Sequence, residues 1–212
     1  FFFLNDPGTT GIAPLPQRAA LPISPSFTKA MIDMYETADP VALHGYSPSL
    51  GNPEACRTIA ESLNRRFGMD YTAGHIFPTT GAAGALAHAL RAVTKPGDEV
   101  LTFAPYFPEY HPYVEGAGAR LTVVPADIES FQINFAAFEA ALNPEVAVVL
   151  INTPNNPSGA VYSAETLDRL AGILRAKQAE YGHDIFLISD EPYREIVFDG
   201  GTQPYPAKFY DN

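Results

Sequence analysis

Val146-Ala147-Val148-Val149-Leu150-Ile151 runs directly into Asn152-Thr153-Pro154-Asn155-Asn156-Pro157-Ser158-Gly159. A second run, Ile185 to Ile188, leads in the same way into Ser189-Asp190-Glu191-Pro192-Tyr193. Short apolar runs rich in β-branched residues, with no polar alternation, read as strands buried on both faces, as in a parallel sheet. Polar residues just past the carboxyl ends of such strands lie where open α/β sheets bind ligands. The amide of Asn156, the carboxylate of Asp190 and the phenol of Tyr193 are therefore expected to converge on one crevice.

Outward from these stretches, strands and helices alternate. The pattern predicts strands at His75–Phe77, Glu99–Phe103 and Leu121–Val124. It predicts helices at Ala82–Val93, Phe107–Ala117 (with Pro112 inside), Phe135–Leu142 and Ser163–Tyr181, the last stopped by Gly182. Upstream, Ser24-Pro25 caps a helix running to about Thr37, Leu43 to Gly51 is a loop holding Tyr46, and Asn52-Pro53-Glu54 opens a helix. That helix places Cys56, Ile59, Ala60, Leu63 and Phe67 on one face, and Gly68 closes it. Pro7 to Pro25, rich in Pro, Gly and Thr, reads as an extended arm. The expected fold is α/β, a three-layer α-β-α arrangement with a mostly parallel sheet. Residues 1–45 form an arm and lead helix, and 46–212 the large domain.

The 212 residues suffice for one sizeable core. A net charge of −11 with no Lys/Arg cluster argues against nucleic acid or an anionic membrane as partner. The longest apolar run is too short to span a bilayer. The single Cys56 excludes an internal disulfide framework and fits a reducing, cytoplasmic setting. The five histidines show no metal-ligand spacing, so no metal site is expected. The chain opens on Phe1 and closes on Phe209-Tyr210-Asp211-Asn212 without a closing element, and it is read as a segment of a longer protein.

Three further features bear on chemistry. In Thr79-Thr80-Gly81-Ala82-Ala83-Gly84, a strand is expected to end in a small-residue turn that opens a helix, and free N–H groups at a helix start hold phosphate well. The stretch lacks the G-x-G-x-x-G spacing of a dinucleotide site and the Lys-Ser/Thr pair of a P-loop. In Ala104-Pro105-Tyr106-Phe107-Pro108-Glu109-Tyr110, an aromatic ring after a strand can stack on a flat ligand. Asp190 follows a buried run and needs a partner, either a ligand cation or an arginine. Arg194 is in reach of Glu191 or Glu195.

Taken in order, these stretches resemble the class I/II aminotransferases, pyridoxal-phosphate enzymes of the aspartate-aminotransferase fold (fold type I). The likeness runs from about Tyr46 to Tyr193 and more weakly to both ends. Tyr46 with Gly51 and Pro53-Glu54 resembles the Tyr…Gly-x-Pro-Glu-Leu-Arg stretch, with Ala55-Cys56 for the usual pair before Arg57. Thr80-Gly81-Ala82 with Ala85-Leu86 resembles the phosphate turn, and Pro105-Tyr106-Phe107 with Tyr110 the segment that covers the cofactor ring. Asn152-x-Pro154-Asn155-Asn156-Pro157-Ser158-Gly159 resembles N-x-P-x-N-P-T-G with Ser for Thr, and Asp190-Glu191-Pro192-Tyr193 resembles D-E-x-Y.

The resemblance implies a role for each matching position. Asp190 would pair with the protonated pyridine nitrogen of pyridoxal 5′-phosphate, while Asn156 and Tyr193 would hydrogen-bond the ring hydroxyl. Phe107 would stack on the ring, and backbone N–H groups of Gly81, Ala82 and Ala83 would hold the phosphate. Tyr46 would reach the phosphate of the neighbouring subunit in a homodimer. The implied reaction transfers an amino group between an amino acid and a 2-oxo acid. A lyase on the same scaffold, or a non-catalytic cofactor- or effector-binding module, are the alternatives. The chain departs from the family in lacking the Ser-x-x-Lys segment whose lysine forms the imine with the cofactor. Lys29, Lys95, Lys177 and Lys208 do not match that segment. The substrate-carboxylate arginine also lies in a C-terminal domain missing here, so this chain alone is expected to be inactive.

Overall fold

Four apolar runs form one parallel sheet in the order β2-β1-β3-β4. The strands are β1 (Glu99–Phe103), β2 (Arg120–Val124), β3 (Val146–Asn152) and β4 (Phe186–Asp190). The computed structural model describes residues 24–198 and 200–212, so most of the expected arm over Pro7–Pro25 lies outside the described residues. The chain divides into two compact units, Phe1–Ser49 and Leu50–Asn212. In the first, the described elements are helices α1 (Pro25–Thr37) and α2 (Pro40–His44). The second carries the sheet together with helices α3 (Pro53–Phe67), α4 (Gly81–Val93), α5 (Tyr110–Gly116), α6 (Phe135–Ala141) and α7 (Ala164–Tyr181).

Every residue of β1 and β3 is buried, which is why these runs show no polar alternation. Alternate side chains then go to opposite helix layers. Leu101, Phe103, Val149 and Ile151 pack with Phe138 of α6 and with Leu167, Leu170 and Leu174 of α7. Val100, Val148 and Leu150 pack with Leu86 and Leu90 of α4 and Val114 of α5. The result is the expected α-β-α sandwich. At the opposite end of the strands from the polar loops, the buried Glu99 accepts hydrogen bonds from Thr122, Asn143 and Arg120. Burial works against its charge, but these donors outweigh burial and hold its carboxyl below the ordinary range.

Several expected elements shift. His75–Phe77 is not a strand: a 3₁₀ turn covers Ala73–His75, where the Thr72 N–H donates to His75 Nδ1 at 2.9 Å, and Ile76 and Phe77 carry no strand. Part of the Leu43–Gly51 loop is instead the end of α2, which Asp39 caps through the Ala42 N–H at 2.8 Å. Helix α5 begins at Tyr110 rather than Phe107, which leaves Pro112 in its first turn, where a missing N–H breaks no helical bond. Ser163 caps α7 instead of lying within it. Asn52 caps α3 through the Glu54 and Ala55 N–H groups, and Gly68 ends it in the left-handed conformation at φ 66°. On that helix Cys56 and Ala60 are buried, whereas Ile59 is exposed.

Phe138 is fully buried, with its ring 5.4 Å from that of Phe103. Phe138→Ala is expected to lower stability by about 3–5 kcal/mol in urea unfolding. A loss below about 1 kcal/mol would remove Phe138 from the core.

Candidate active site

The strand order reverses between β1 and β3: β2 lies on one side of that pair and β4 on the other. A crevice opens at such a switch point, outside the carboxyl ends of the strands. There the protein forms a hollow of about 230 Å³, and its walls include Ala82, Ala83, Phe107, Asn156, Asp190 and Tyr193. The three polar side chains singled out from the sequence therefore line one cavity, together with Phe107 and the start of α4.

The cavity wall is held by hydrogen bonds between its loops. Asn152, the last residue of β3, is 4% exposed. Its Nδ2 donates to the Asp190 carbonyl at 2.9 Å, and its Oδ1 accepts from the Asn156 N–H at 2.6 Å. One carboxamide thus joins the loop after β3 to the end of β4. Asn156 Nδ2 donates in turn to the Tyr193 hydroxyl at 3.2 Å. Asn155 pins the same loop to the segment after β1 by donating to the Pro105 carbonyl at 3.1 Å.

Asp190 finds its partner in a phenol instead of an arginine. The hydroxyl of the fully buried Tyr110 donates to Asp190 Oδ2 at 2.7 Å. Burial raises the Asp190 carboxyl above its ordinary pKa, and the Tyr110 hydrogen bond only partly offsets this. Burial, followed by the bond to Asp190, pushes the Tyr110 hydroxyl well above its own usual value. A half-dry carboxylate served by one neutral donor favours a cation brought to its free oxygen.

The hollow is also lined by the first turn of α4, which starts without a side-chain cap from Thr80. Ala82 and Ala83 line the cavity, and their small side chains leave the helix start open to a ligand. The N–H of Gly81 is taken by the Thr79 carbonyl at 3.0 Å, and Gly81 is not among the lining residues. Its φ of 73° makes glycine the fitting residue there. Tyr46 belongs to the other compact unit, where it is fully exposed. No lysine lines the hollow among the described residues. Lys29, Lys95 and Lys177 lie in surface ion pairs with Asp33, Asp98 and Glu180, and Lys208 is exposed on a 3₁₀ turn, Pro206–Lys208.

The comparisons with known proteins agree with this geometry. Residues 11–209 match the family described as aminotransferase class I and II. The chain belongs to that family. Among curated relatives, a probable aspartate/prephenate aminotransferase of Thermus aquaticus is 34% identical over 156 residues, covering 73% of this chain and 39% of the relative. A probable N-succinyldiaminopimelate aminotransferase of Mycobacterium tuberculosis is 34% identical over 172 residues, covering 80% and 42%. The crystal structure of an amino transferase from Eubacterium rectale superposes with a TM-score of 0.88 at 47% identity, over 90% of this chain and 48% of that one. The chain thus spans about two-fifths to half the length of these aminotransferases.

Two residues that hold the wall, the buried Tyr110 behind Asp190 and Asn152 between the loops, carry no role that the sequence alone reveals. The available signal was a polar group at the end of a buried run, which must find a partner. Replacing the half-buried acid with its neutral isostere, Asp190→Asn, is expected to leave the melting temperature at pH 7 equal or higher. The sign follows from the raised carboxyl pKa: the folded state holds its proton more tightly than the unfolded chain, so ionisation opposes folding as pH rises past the ordinary carboxylate value. The gain should vanish below that value. A clear loss at pH 7 that persists at pH 3 would contradict the burial argument.

Proposed function

We propose that residues 46–212 form the pyridoxal-phosphate grip of an aminotransferase whose whole protein moves an amino group between an amino acid and a 2-oxo acid. The observation that carries this reading is the Asp190 carboxylate, half-buried and held by Tyr110, facing a hollow that Asn156, Tyr193, Phe107 and the start of α4 also line. This donor set fits the cofactor. A pyridinium nitrogen supplies the cation that Asp190 lacks, the Asn156–Tyr193 pair suits a ring hydroxyl, Phe107 suits a ring face, and the N–H groups of Ala82 and Ala83 suit a phosphate. Bound there, the cofactor supplies an electron sink for charge developing at the amino acid's α carbon.

The chain's own groups have separate tasks in this reading. Asp190 keeps a proton on the ring nitrogen, because a carboxylate beside a cation favours the charged form. Asn156 and Tyr193 orient the ring through its hydroxyl, and Phe107 fixes its tilt. Gly81 shapes the turn that lets Ala82 and Ala83 approach the phosphate. Tyr46 serves the phosphate of a second subunit in a homodimer. The lone, buried Cys56 supports a reducing, cytoplasmic setting. No helix among the described residues is long and apolar enough to cross a membrane. The relatives are named as aminotransferases, which favours amino transfer over elimination.

Pyridoxamine 5′-phosphate tests the grip, since it has no aldehyde to react with surface lysines. Calorimetric titration of the chain should detect its binding, and Asp190→Ala should weaken it by about 10–100-fold, the worth of one charge-assisted hydrogen bond. Unchanged affinity in Asp190→Ala would remove the carboxylate from its role. Borohydride treatment after mixing with pyridoxal 5′-phosphate should label Lys208 no more than Lys29, Lys95 and Lys177. Selective labelling of Lys208 would make it the covalent anchor.

A further inference from the structure

We propose that Arg194 is a positioning residue that fixes the turn carrying Tyr193 and so sets the direction of the Tyr193 hydroxyl into the hollow; this rests on the reading of that hollow as the cofactor site. Arg194 directly follows Tyr193, yet its side chain is only 11% exposed. Its Nε donates to Glu191 Oε2, with Nη2 against the same oxygen. Nη1 donates to the Gln203 carbonyl at 3.2 Å, and Nη2 to the Pro204 carbonyl at 3.3 Å. The guanidinium carbon lies 5.0 Å from the Phe67 ring centre and 4.9 Å from that of Tyr205, and these two rings stack on each other at 4.4 Å. A planar fork that pairs with a carboxylate, donates to two carbonyls and lies against aromatic rings is an arrangement lysine cannot reproduce.

This clamp reaches both polar loops. Residues 191–196 close on themselves through the Arg194 N–H to the Glu191 carbonyl at 3.3 Å and the Ile196 N–H to the Tyr193 carbonyl at 2.8 Å. Gln203, whose carbonyl Arg194 holds, donates through Nε2 to the carbonyl of the buried Thr153, in the loop that carries Asn156. Arg194 therefore ties the turn of Tyr193 to the loop of its partner. Tyr193 needs that tie. The residue is 36% exposed, and its hydroxyl has a single side-chain partner, Asn156, among the described residues. Asp190 is held independently by Tyr110 and Asn152. Disturbing Arg194 should thus act on the cofactor through Tyr193 and leave Asp190 in place.

Arg194→Lys keeps the charge beside Glu191 but loses the fork and the flat stack. Amide exchange should quicken at Ile196 by about 10-fold or more while the amides of β3 stay protected, because only a local opening is made easier. The dissociation constant for pyridoxamine 5′-phosphate should rise about 10-fold in Arg194→Lys, but less than about 2-fold when the same change is made in Tyr193→Phe, since coupled residues are not additive. A residue that only supports the fold would weaken binding equally in both backgrounds, and that result overturns the proposal, as does unchanged exchange at Ile196. Glu191→Leu/Arg194→Met, which replaces the pair with apolar groups, gives a second variant with the same expected exchange and coupling. Failure of the unaltered chain to bind pyridoxamine 5′-phosphate would defeat the cofactor reading and with it the coupling to Tyr193, while the exchange at Ile196 would still decide whether Arg194 holds the turn.

Discussion

The carboxamide of Asn152 is the joint on which the candidate site depends. It sits where β3 ends and is almost wholly buried, and buried amides find hydrogen-bond partners. It finds them in two chain segments far apart in sequence, the Asp190 carbonyl and the Asn156 N–H. Each bond satisfies a buried group, and together they fix the spacing between the end of β4 and the loop after β3. Asp190 and Asn156 face a common hollow because their backbones are joined at this point, and Tyr193 meets them there through its hydroxyl, which accepts from Asn156 Nδ2.

The same neighbourhood holds a group that opposes folding. Asp190 is half-buried with one neutral donor, which is poor compensation for a carboxylate. Groups held at a cost to stability concentrate at functional sites. The Asp190 carboxylate and the uncapped start of α4 both line the hollow. A flat ligand with a cationic ring nitrogen and an anionic arm suits that pair of groups. Glu99, also buried, sits at the opposite end of the sheet among Arg120, Thr122 and Asn143, whose hydrogen bonds outweigh burial and favour its charged form. The contrast separates a structural carboxylate from one available to a ligand.

Most of the sheet was legible because β1 and β3 are buried on both faces, which shows as an apolar run over Val146–Ile151 of β3 and as a mainly apolar β1 without polar alternation. The misreadings occur where local hydrogen bonds outweigh pattern. His75–Phe77 has the composition of a strand, but Thr72 and His75 close a 3₁₀ turn there. Asp39 caps α2 in a stretch that reads as loop. Ile59 fits the apolar periodicity of α3 yet lies exposed, since periodicity shows which residues share a face and not how much of that face is covered. In the site, Asn156, Asp190 and Tyr193 announce themselves by following apolar runs. Tyr110 and Arg194 do not, because a tyrosine among aromatics and an arginine beside two glutamates each have several ordinary uses.

The sequence by itself determined that the fold is a layered α/β sandwich with polar loops at one end of a parallel sheet, since burial on both faces leaves a direct mark on composition. Only the tertiary structure decided which groups pair across those loops: Tyr110 with Asp190, Asn152 with two backbones, and Arg194 with Glu191 and the carbonyls of Gln203 and Pro204. Those pairings depend on distances between strands that are adjacent in space but remote along the chain, and side-chain chemistry alone does not specify them.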